Sequence, residues 1–176
     1  MSAQSVPSSD EALRDSVPAD SGEIVFPTRG EVAPEMAQLD FILGDFRIAY
    51  TNLTTEQVST GEATCSARPL ADGRFYEWTQ NIPVPGIVAT WLLGWSDVDK
   101  SFACFYYDDW GHHGTFTSPG WVDGHFTITG DSAVFGGRHR FVDDFTVIDD
   151  NHFEKKGFIV VGDELVPGDL LTFSRF

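Results

Sequence analysis

Between about Gly44 and Phe176, the chain is a series of short segments in which large apolar or aromatic residues alternate with polar ones. Alternation with a period of two is typical of β-strands, because successive side chains point to opposite faces. No segment has the apolar spacing of an amphipathic helix. The pattern predicts about ten strands, near residues 44–53, 57–68, 74–82, 87–96, 101–109, 114–122, 125–130, 138–149, 152–161 and 170–176.

Turn-forming residues separate these segments at regular intervals. Gly, Pro, Asp and Asn adopt the backbone angles that tight turns require. Short turns between consecutive strands favour antiparallel neighbours, so the sequence predicts an all-β fold, a closed antiparallel up-and-down barrel. The turn signals are Asp72-Gly73, Asp97 to Lys100, Trp110-Gly111, Asp123-Gly124, Gly130-Asp131, Gly136-Gly137, Asp149 to Asn151 and Pro167-Gly168.

Segment 87–109 permits a prediction of strand register. If Asp97 to Lys100 form its turn, directly opposite residues share one face of the sheet. The other face is also apolar, and we expect either the N-terminal segment or a second copy of the chain to cover it. Of these two, we predict a homodimer that forms through this outer face. The pairs on the first face are Ala89 with Asp108, Trp91 with Tyr106, Leu93 with Cys104, and Trp95 with Phe102.

The N-terminal residues are rich in Ser, Pro, Ala, Asp and Glu and poor in large apolar side chains. Such a segment buries too little apolar surface to offset the entropy lost on ordering. We therefore expect a flexible acidic leader over 1–38 and one barrel domain over 39–176. Within the leader, Glu23 to Pro27 is apolar enough to pack on the barrel or close one end, and Pro34 to Leu39 predicts a short helical turn.

The charge of the chain excludes several partners. With 11 Lys and Arg against 27 Asp and Glu, the formal net charge is −16, which repels nucleic acid and anionic membrane surfaces. Neither a signal peptide nor an apolar run of about 18 residues is visible. Cys65 and Cys104 lie in apolar strand segments and are expected to be buried thiols, and a disulfide between them is the alternative. These features indicate a cytoplasmic protein.

Four short motifs follow one another along residues 39–176. The first is similar to the Leu-x-x-Leu-x-Gly-x-Trp opening of lipocalin-like barrels, with Phe46 where Trp is usual. In this order the motifs resemble the calycin superfamily, and within it a bacterial family of unknown function related in shape to the nitrobindins. The motifs are Leu39-Asp40-Phe41-Ile42-Leu43-Gly44-Asp45-Phe46, Asp72-Gly73-Arg74-Phe75, Leu93-Gly94-Trp95-Ser96-Asp97 and Leu171-Thr172-Phe173-Ser174-Arg175.

The resemblance implies a barrel of about ten strands with an interior pocket. Because the superfamily contains carriers, haem proteins and a few enzymes, it does not select a function.

The densest polar cluster is Asp108-Asp109-Trp110-Gly111-His112-His113, directly after Tyr106 and Tyr107. At a barrel mouth, His113 beside Asp108 can act as a general base, and Tyr106 can donate to a carbonyl or enolate oxygen. A polar turn built on Gly111 explains the same residues. We expect no metal site, because adjacent histidines on a strand point to opposite sides.

Two further segments carry candidate catalytic groups. Alternation places His139, Phe141 and Asp143 on one face, which can therefore present an imidazole and a carboxylate together. In Tyr76 to Asn81, an inward Glu77 would have its pKa raised by burial, which suits proton transfer. The alternatives are surface pairing of Arg138 or Arg140 with acids such as Glu154, and a solvent-facing Glu77.

Aromatic residues make up 14% of the chain. Rings can line a pocket for a flat apolar ligand, because they offer a large contact area with few rotatable bonds, or they can simply fill a barrel. The concentration of Trp around one hairpin favours a lined pocket. The candidate ligand-binding residues are Tyr76, Trp78, Trp91, Trp95, Phe102 and Trp121.

Three functions remain open. The first is an enzyme without a cofactor that binds a hydrophobic small molecule and promotes isomerisation, cyclisation or elimination by general acid–base catalysis, in specialised metabolism. The second is a carrier or sensor of such a molecule. The third, suggested only by the resemblance, is a haem protein, which requires a proximal His inside the barrel.

Overall fold

The computed structural model of the chain describes residues 28–54 and 58–176. Within them lie eleven β-strands and two short 3₁₀ helices, Pro34–Ile42 and Ala71–Gly73. No helix in this part of the chain is both long enough and apolar enough to span a membrane. The strands are β1 (Gly44–Asn52), β2 (Ser59–Leu70), β3 (Phe75–Ile82), β4 (Ile87–Ser96), β5 (Ser101–Asp108), β6 (His113–Ser118), β7 (Trp121–Val122), β8 (His125–Val134), β9 (Gly137–Asp149), β10 (His152–Val161) and β11 (Glu164–Arg175).

Ten of the described strands form a closed antiparallel barrel, which confirms the fold predicted from the sequence. Consecutive strands pair along the ring, β1 pairs with β11, and β6 pairs with β8. The two-residue strand β7 pairs with β8 outside this ring. Closure leaves no long unpaired strand edge in the ring.

The predicted register of the β4–β5 hairpin is confirmed, with Trp91 opposite Tyr106 and Trp95 opposite Phe102. This face points into the barrel, because Phe102 is fully buried. On the outer face, Val88 and Tyr107 remain exposed. Their cover by the leader or by a second copy stays a prediction.

The predicted strand 114–122 is divided in the structure. Gly120, whose φ is +91°, turns the chain between β6 and β7. The predicted turn at Gly130-Asp131 is wrong, since β8 continues to Val134. Gly130 lies opposite Phe116 of β6, where an added Cβ would run into the backbone of that strand. This glycine therefore permits close approach at the β6–β8 seam.

The predicted turn at Pro167-Gly168 is also wrong, because β11 begins at Glu164. Phe158 pairs with Pro167 and Gly157 pairs with Asp169, so Gly168 is an extra residue in β11. A bulge of this kind accommodates a proline within a sheet.

One end of the barrel, which we name the helix end, is closed by the helix Pro34–Ile42. Its first residues belong to the predicted leader, and the compact unit spans Val32–Phe176. The helical turn predicted over Pro34 to Leu39 is thus confirmed and continues to Ile42. The predicted flexibility of residues 1–27 and the packing of Glu23 to Pro27 lie outside the described residues.

Aromatic side chains fill the interior of the helix end. Phe41 of the helix packs against Trp121 and Phe153, with ring centroids 5.2 Å apart in both contacts. Cys65 and Cys104 are buried free thiols, as predicted. Fully buried phenylalanines from six strands complete this core: Phe46, Phe102, Phe126, Phe145, Phe153 and Phe173.

Candidate functional site

The other half of the barrel interior encloses a cavity of about 300 Å³. It lies at the end of the barrel opposite the helix, which we name the cavity end. The turns following β1, β3, β5, β8 and β10 meet there. Every strand of the ring contributes at least one lining residue. The volume is at the low end of the range for small-molecule sites.

Small residues at inward positions explain why this half is hollow. Ala63, Ala89 and Gly157 line the cavity, whereas the corresponding layers near the helix carry phenylalanines. The larger lining groups are mainly apolar and include Ile48, Ile82, Trp91, Phe116, Phe141 and Leu171. A barrel interior is filled only as far as its inward side chains reach, so these positions leave room for a guest.

Three charged side chains lie together in the lining. The Lys155 ammonium is 3.0 Å from Asp143 Oδ1 and 2.9 Å from Asp169 Oδ1, and it donates a hydrogen bond to Asp169 Oδ2 at 3.1 Å. They come from the adjacent strands β9, β10 and β11. We call this group the Lys155 cluster.

Gly157 makes the geometry of the Lys155 cluster attainable. It lies opposite Asp143 on one side and Asp169 on the other. A Cβ at this position would lie 2.5 Å from Asp169 Oδ1 and 3.0 Å from Asp143 Oδ1. The absence of a side chain therefore allows both carboxylates to converge on one ammonium.

Burial and the neighbouring charges shift the pKa values of the Lys155 cluster in opposite directions. Burial by itself lowers the pKa of Lys155, but the two neighbouring carboxylates outweigh it and raise that pKa. Burial raises the pKa of Asp143, against the attraction of Lys155. The ammonium thus stays charged, and the cluster holds a carboxyl group suited to exchanging a proton.

A second polar network joins the cavity to the β5–β6 turn. Tyr106, a lining residue, donates its phenolic proton to Asp108 Oδ2 at 2.7 Å. The same oxygen lies 2.8 Å from His112 Nδ1, and Asp108 Oδ1 accepts the backbone N–H groups of Trp110 and His112.

The network fixes the protonation of two of its members. Burial, together with the neighbouring Asp108 carboxylate, raises the pKa of Tyr106, so its hydroxyl keeps its proton. For Asp108, burial alone would raise the pKa, but the hydrogen bonds from Tyr106 and His112 lower it. Asp108 is therefore a fixed, charged acceptor.

The predicted catalytic residues are distributed over several places. Asp108 and Tyr106 meet as predicted, but the imidazole that contacts Asp108 is His112. His113 is exposed, with Nδ1 3.4 Å from the Gly111 carbonyl oxygen. His139 lies on the inward face of β9 beside Phe141, with ring centroids 6.3 Å apart.

Glu77 lies on the outer face of β3, because its neighbours Tyr76 and Trp78 are buried inside the barrel. It therefore does not face the cavity, so Glu77 is not in the inward orientation that its candidate catalytic role required. The solvent-facing alternative describes this residue.

Of the six predicted ligand-binding aromatics, Trp91 lines the cavity. The other five, Tyr76, Trp78, Trp95, Phe102 and Trp121, pack in the helix end. Tyr76 donates its hydroxyl to Asp40 at 2.8 Å, and Trp121 donates its indole N–H to the Gln38 carbonyl at 2.9 Å. Tyr76 and Trp121 thus hold the helix against the barrel.

Sequence reasoning missed the Lys155 cluster as a site. The alternation in β9 does place Asp143 inward, and Lys155 lies between the inward positions Phe153 and Gly157 of β10. Asp169 was hidden by the predicted turn at Pro167-Gly168. A lysine flanked by inward apolar positions was the signal available.

No group of three or more His, Cys, Asp or Glu side chains within residues 28–54 and 58–176 is arranged to hold a metal ion. All five histidines lie in this range, and none of them is among the lining residues of the cavity.

Solved structures include a protein of similar fold. The crystal structure of Rv2717c from M. tuberculosis matches with a TM-score of 0.59, covering 83% of this chain and 99% of that chain, at 12% sequence identity. No family model matches the chain, and no curated protein matches it. The shared feature is therefore the ten-stranded barrel.

Proposed function

We propose that this protein is a calycin-like barrel of the cytoplasm that binds a small, mainly apolar molecule in its cavity. The observation that carries the proposal is the cavity of about 300 Å³. Its lining is mainly apolar and includes a few polar groups, among them Tyr106 and the Lys155 cluster. Apolar walls provide affinity through the area they remove from water, and isolated polar groups orient the guest.

Filling the cavity tests the proposal. Ala89 is 2% exposed and lines the cavity, whereas Ala103 lies on the outer face of the same hairpin. We expect Ala89→Trp to abolish the fluorescence gain of N-phenyl-1-naphthylamine, an uncharged apolar probe, and Ala103→Trp to preserve it. Circular dichroism verifies that both variants fold, since overpacking costs about 1–3 kcal/mol.

Two outcomes count against ligand binding in the cavity. The first is that the native protein shows no saturable probe signal at micromolar concentration. The second is that both Trp variants bind the probe like the native protein. The second result would place the probe outside the cavity.

Acid–base catalysis without a cofactor is the second candidate. It is favoured by Asp143, a buried cavity carboxyl whose raised pKa suits it to taking up and returning a proton. Isomerisation, cyclisation or elimination in specialised metabolism would use such a group, while the cavity walls hold the reactive conformation. A carrier would bind the same molecule unchanged.

Deuterium exchange separates an enzyme from a carrier. A bound compound with an acidic C–H bond is incubated with the protein in D₂O and followed by NMR. For an enzyme, we expect exchange that Asp143→Asn removes without loss of affinity. If exchange is no faster than in buffer, the enzyme hypothesis is rejected and the carrier hypothesis remains.

Haem binding is not supported by the lining. A proximal histidine inside an apolar barrel is required for the haem proteins that the resemblance suggests, and no histidine lines the cavity. When haem is added to the purified protein, we expect only the broad Soret band of free haem and no shifted, sharpened band of a ligated haem.

A further inference from the structure

The Lys155 cluster places two carboxylates against one ammonium in the cavity. Asp143, Lys155 and Asp169 are the charged residues in its described lining. When both carboxylates are ionised, the cluster carries one excess negative charge, which is costly because the barrel interior solvates it poorly. A proton on Asp143 removes that charge when no guest is bound, and a bound cation would remove it in place of the proton.

Two hydroxyl groups in the lining, those of Tyr106 and Ser132, already donate their protons to other groups of the protein. Tyr106 donates to Asp108 at 2.7 Å, and Ser132 donates to the backbone carbonyl of His113 at 2.9 Å. A hydroxyl that donates elsewhere offers its remaining lone pairs to a neighbour. Towards the cavity, both oxygens can therefore accept hydrogen bonds.

The Asp169 carboxylate adds to this acceptor surface. Its Oδ1 lies 2.9 Å from the Lys155 ammonium, and its Oδ2 accepts the hydrogen bond from Lys155 at 3.1 Å. An ionised carboxylate has about four lone-pair sites, so Asp169 can accept a further hydrogen bond beside this pair. Tyr106, Ser132 and Asp169 thus offer acceptors to a guest that can donate hydrogen bonds.

We infer that the guest of this cavity is a mainly apolar amine that is protonated at neutral pH. The inference rests on the proposed ligand-binding function. An ammonium group can balance the second carboxylate of the Lys155 cluster in place of a proton. It also donates hydrogen bonds, which Tyr106, Ser132 and Asp169 can accept. The apolar remainder of the guest packs against Trp91 and Phe116.

Other ligand classes fit this arrangement less well. A carboxylate or phosphate would meet two carboxylates with a single ammonium that is already paired. An uncharged alcohol can donate one proton but leaves the excess charge in place. The net charge of −16 acts in the same direction, because it concentrates cations around the protein.

Three naphthalene compounds of nearly equal size test the ligand class. They are 1-naphthylmethylamine, 1-naphthylmethanol and 1-naphthoate, which differ in charge, and their affinities are measured by isothermal titration calorimetry. We expect the amine to bind about tenfold or more tightly than the alcohol, since a buried charge pair is worth more than a neutral hydrogen bond. The naphthoate should bind most weakly.

Matched variants assign the preference to the Lys155 cluster. Asp169→Asn removes the excess charge, so we expect about tenfold weaker amine binding and little change for the alcohol. Asp144→Asn alters the net charge equally, but Asp144 lies on the outer face of β9, so both affinities should stay unchanged. If both variants weaken the amine equally, a general charge effect replaces the proposed contact.

Lys155→Met supplies a second route if Asp169→Asn does not fold. It leaves both carboxylates without their cation, so we expect the amine to bind about tenfold more tightly and to raise the unfolding temperature of the variant. Unchanged amine affinity in a folded Lys155→Met protein overturns the inference.

The outcomes separate the inference from the proposed function. If N-phenyl-1-naphthylamine binds and Ala89→Trp prevents it, but the amine and alcohol bind equally, the cavity proposal stands and the amine is ruled out. Tightest binding of the naphthoate also rules out the amine. If neither the uncharged probe nor any naphthalene compound binds, the proposed function itself is wrong.

Discussion

Asp108 is hydrogen-bonded both to a residue of the cavity and to the backbone of a turn. Its carboxylate accepts hydrogen bonds from the Tyr106 hydroxyl and from backbone N–H groups of the β5–β6 turn. These bonds lower the pKa of Asp108 despite its burial. The native state therefore favours the ionised carboxylate more than the unfolded chain does.

The sign of this shift predicts a pH dependence of stability. A lowered pKa in the native state stabilises the fold above the unfolded pKa, and the stabilisation is lost as pH falls through the native pKa. We expect Asp108→Asn to reduce the free energy of unfolding by about 1–3 kcal/mol at pH 7. The difference from the native protein should shrink below about pH 4, near the ordinary pKa of Asp.

Urea denaturation followed by circular dichroism from pH 3 to pH 7 measures this difference. Asp163→Asn is the control, because Asp163 is exposed in the β10–β11 turn, and it should change stability by less than about 0.5 kcal/mol. A constant difference between Asp108→Asn and the native protein over the whole range would contradict the assignment.

At the level of single residues, alternation correctly placed His139, Phe141 and Asp143 on the same face of β9, and the structure shows that this face points inward. It could not identify the Lys155 cluster, because the three side chains meet across β9, β10 and β11. The distance between them depends on cross-strand register and on the missing side chain of Gly157.

Among the secondary-structure elements, the helix Pro34–Ile42 contributes buried side chains to the interior although it is not part of the sheet. It brings Phe41 into the helix end, where its ring contacts Trp121, Phe126, Phe145 and Phe153 at centroid distances from 5.2 to 6.1 Å. Aromatic contacts of this kind add to the stabilisation from burial.

Removing the Phe41 ring should destabilise the barrel through this contact. We expect Phe41→Ala to lower the free energy of unfolding by about 3 kcal/mol, the lower limit for a core Phe→Ala change. Equilibrium urea denaturation measures the loss. Phe176→Ala, at a side chain that is 66% exposed, is the control and should cost far less. Equal losses for the two variants would show that the helix does not support the core.

Strand boundaries were predicted well wherever a local signal decides them. Turn residues and alternation are properties of neighbouring positions, so β4, β5 and β10 were placed within one residue of their observed bounds. The errors at Gly130-Asp131 and Pro167-Gly168 share one cause. In both places a turn-forming pair lies inside a strand, because a partner strand requires a close approach or a bulge.

For the whole molecule, closure of the barrel depends on the β6–β8 seam, where Gly130 faces Phe116. A side chain at Gly130 would collide with the backbone of β6 at Thr115 and Phe116. We expect Gly130→Val to cost about 3 kcal/mol or more and to accelerate amide hydrogen exchange in β6 and β8, since overpacking there forces the strands apart.

Asp131→Val is the matched control for the seam. It places the same β-branched side chain at the next position, which is exposed. Its exchange rates in β6 and β8 should match those of the native protein. If Gly130→Val also leaves the exchange rates of β6 and β8 unchanged, the seam does not limit opening of the barrel.

The predicted homodimer also concerns the whole molecule and stays a prediction. Val88, Phe105 and Tyr107 expose between 42% and 49% of their surface on the outer face of the β4–β5 hairpin. Light scattering at micromolar concentration tests it, and a monomeric mass would count against it.

The sequence by itself determined the all-β class, the ten-stranded barrel, most strand bounds and the register of the β4–β5 hairpin. These features follow from side-chain alternation and turn chemistry between positions close in the chain. Only the tertiary structure decided which half of the barrel is solid and which is hollow, and that Lys155, Asp143 and Asp169 meet in the hollow half. The volume left inside a barrel depends on the inward side chains of all ten strands together. A pattern of neighbouring residues in the sequence does not give their combined volume.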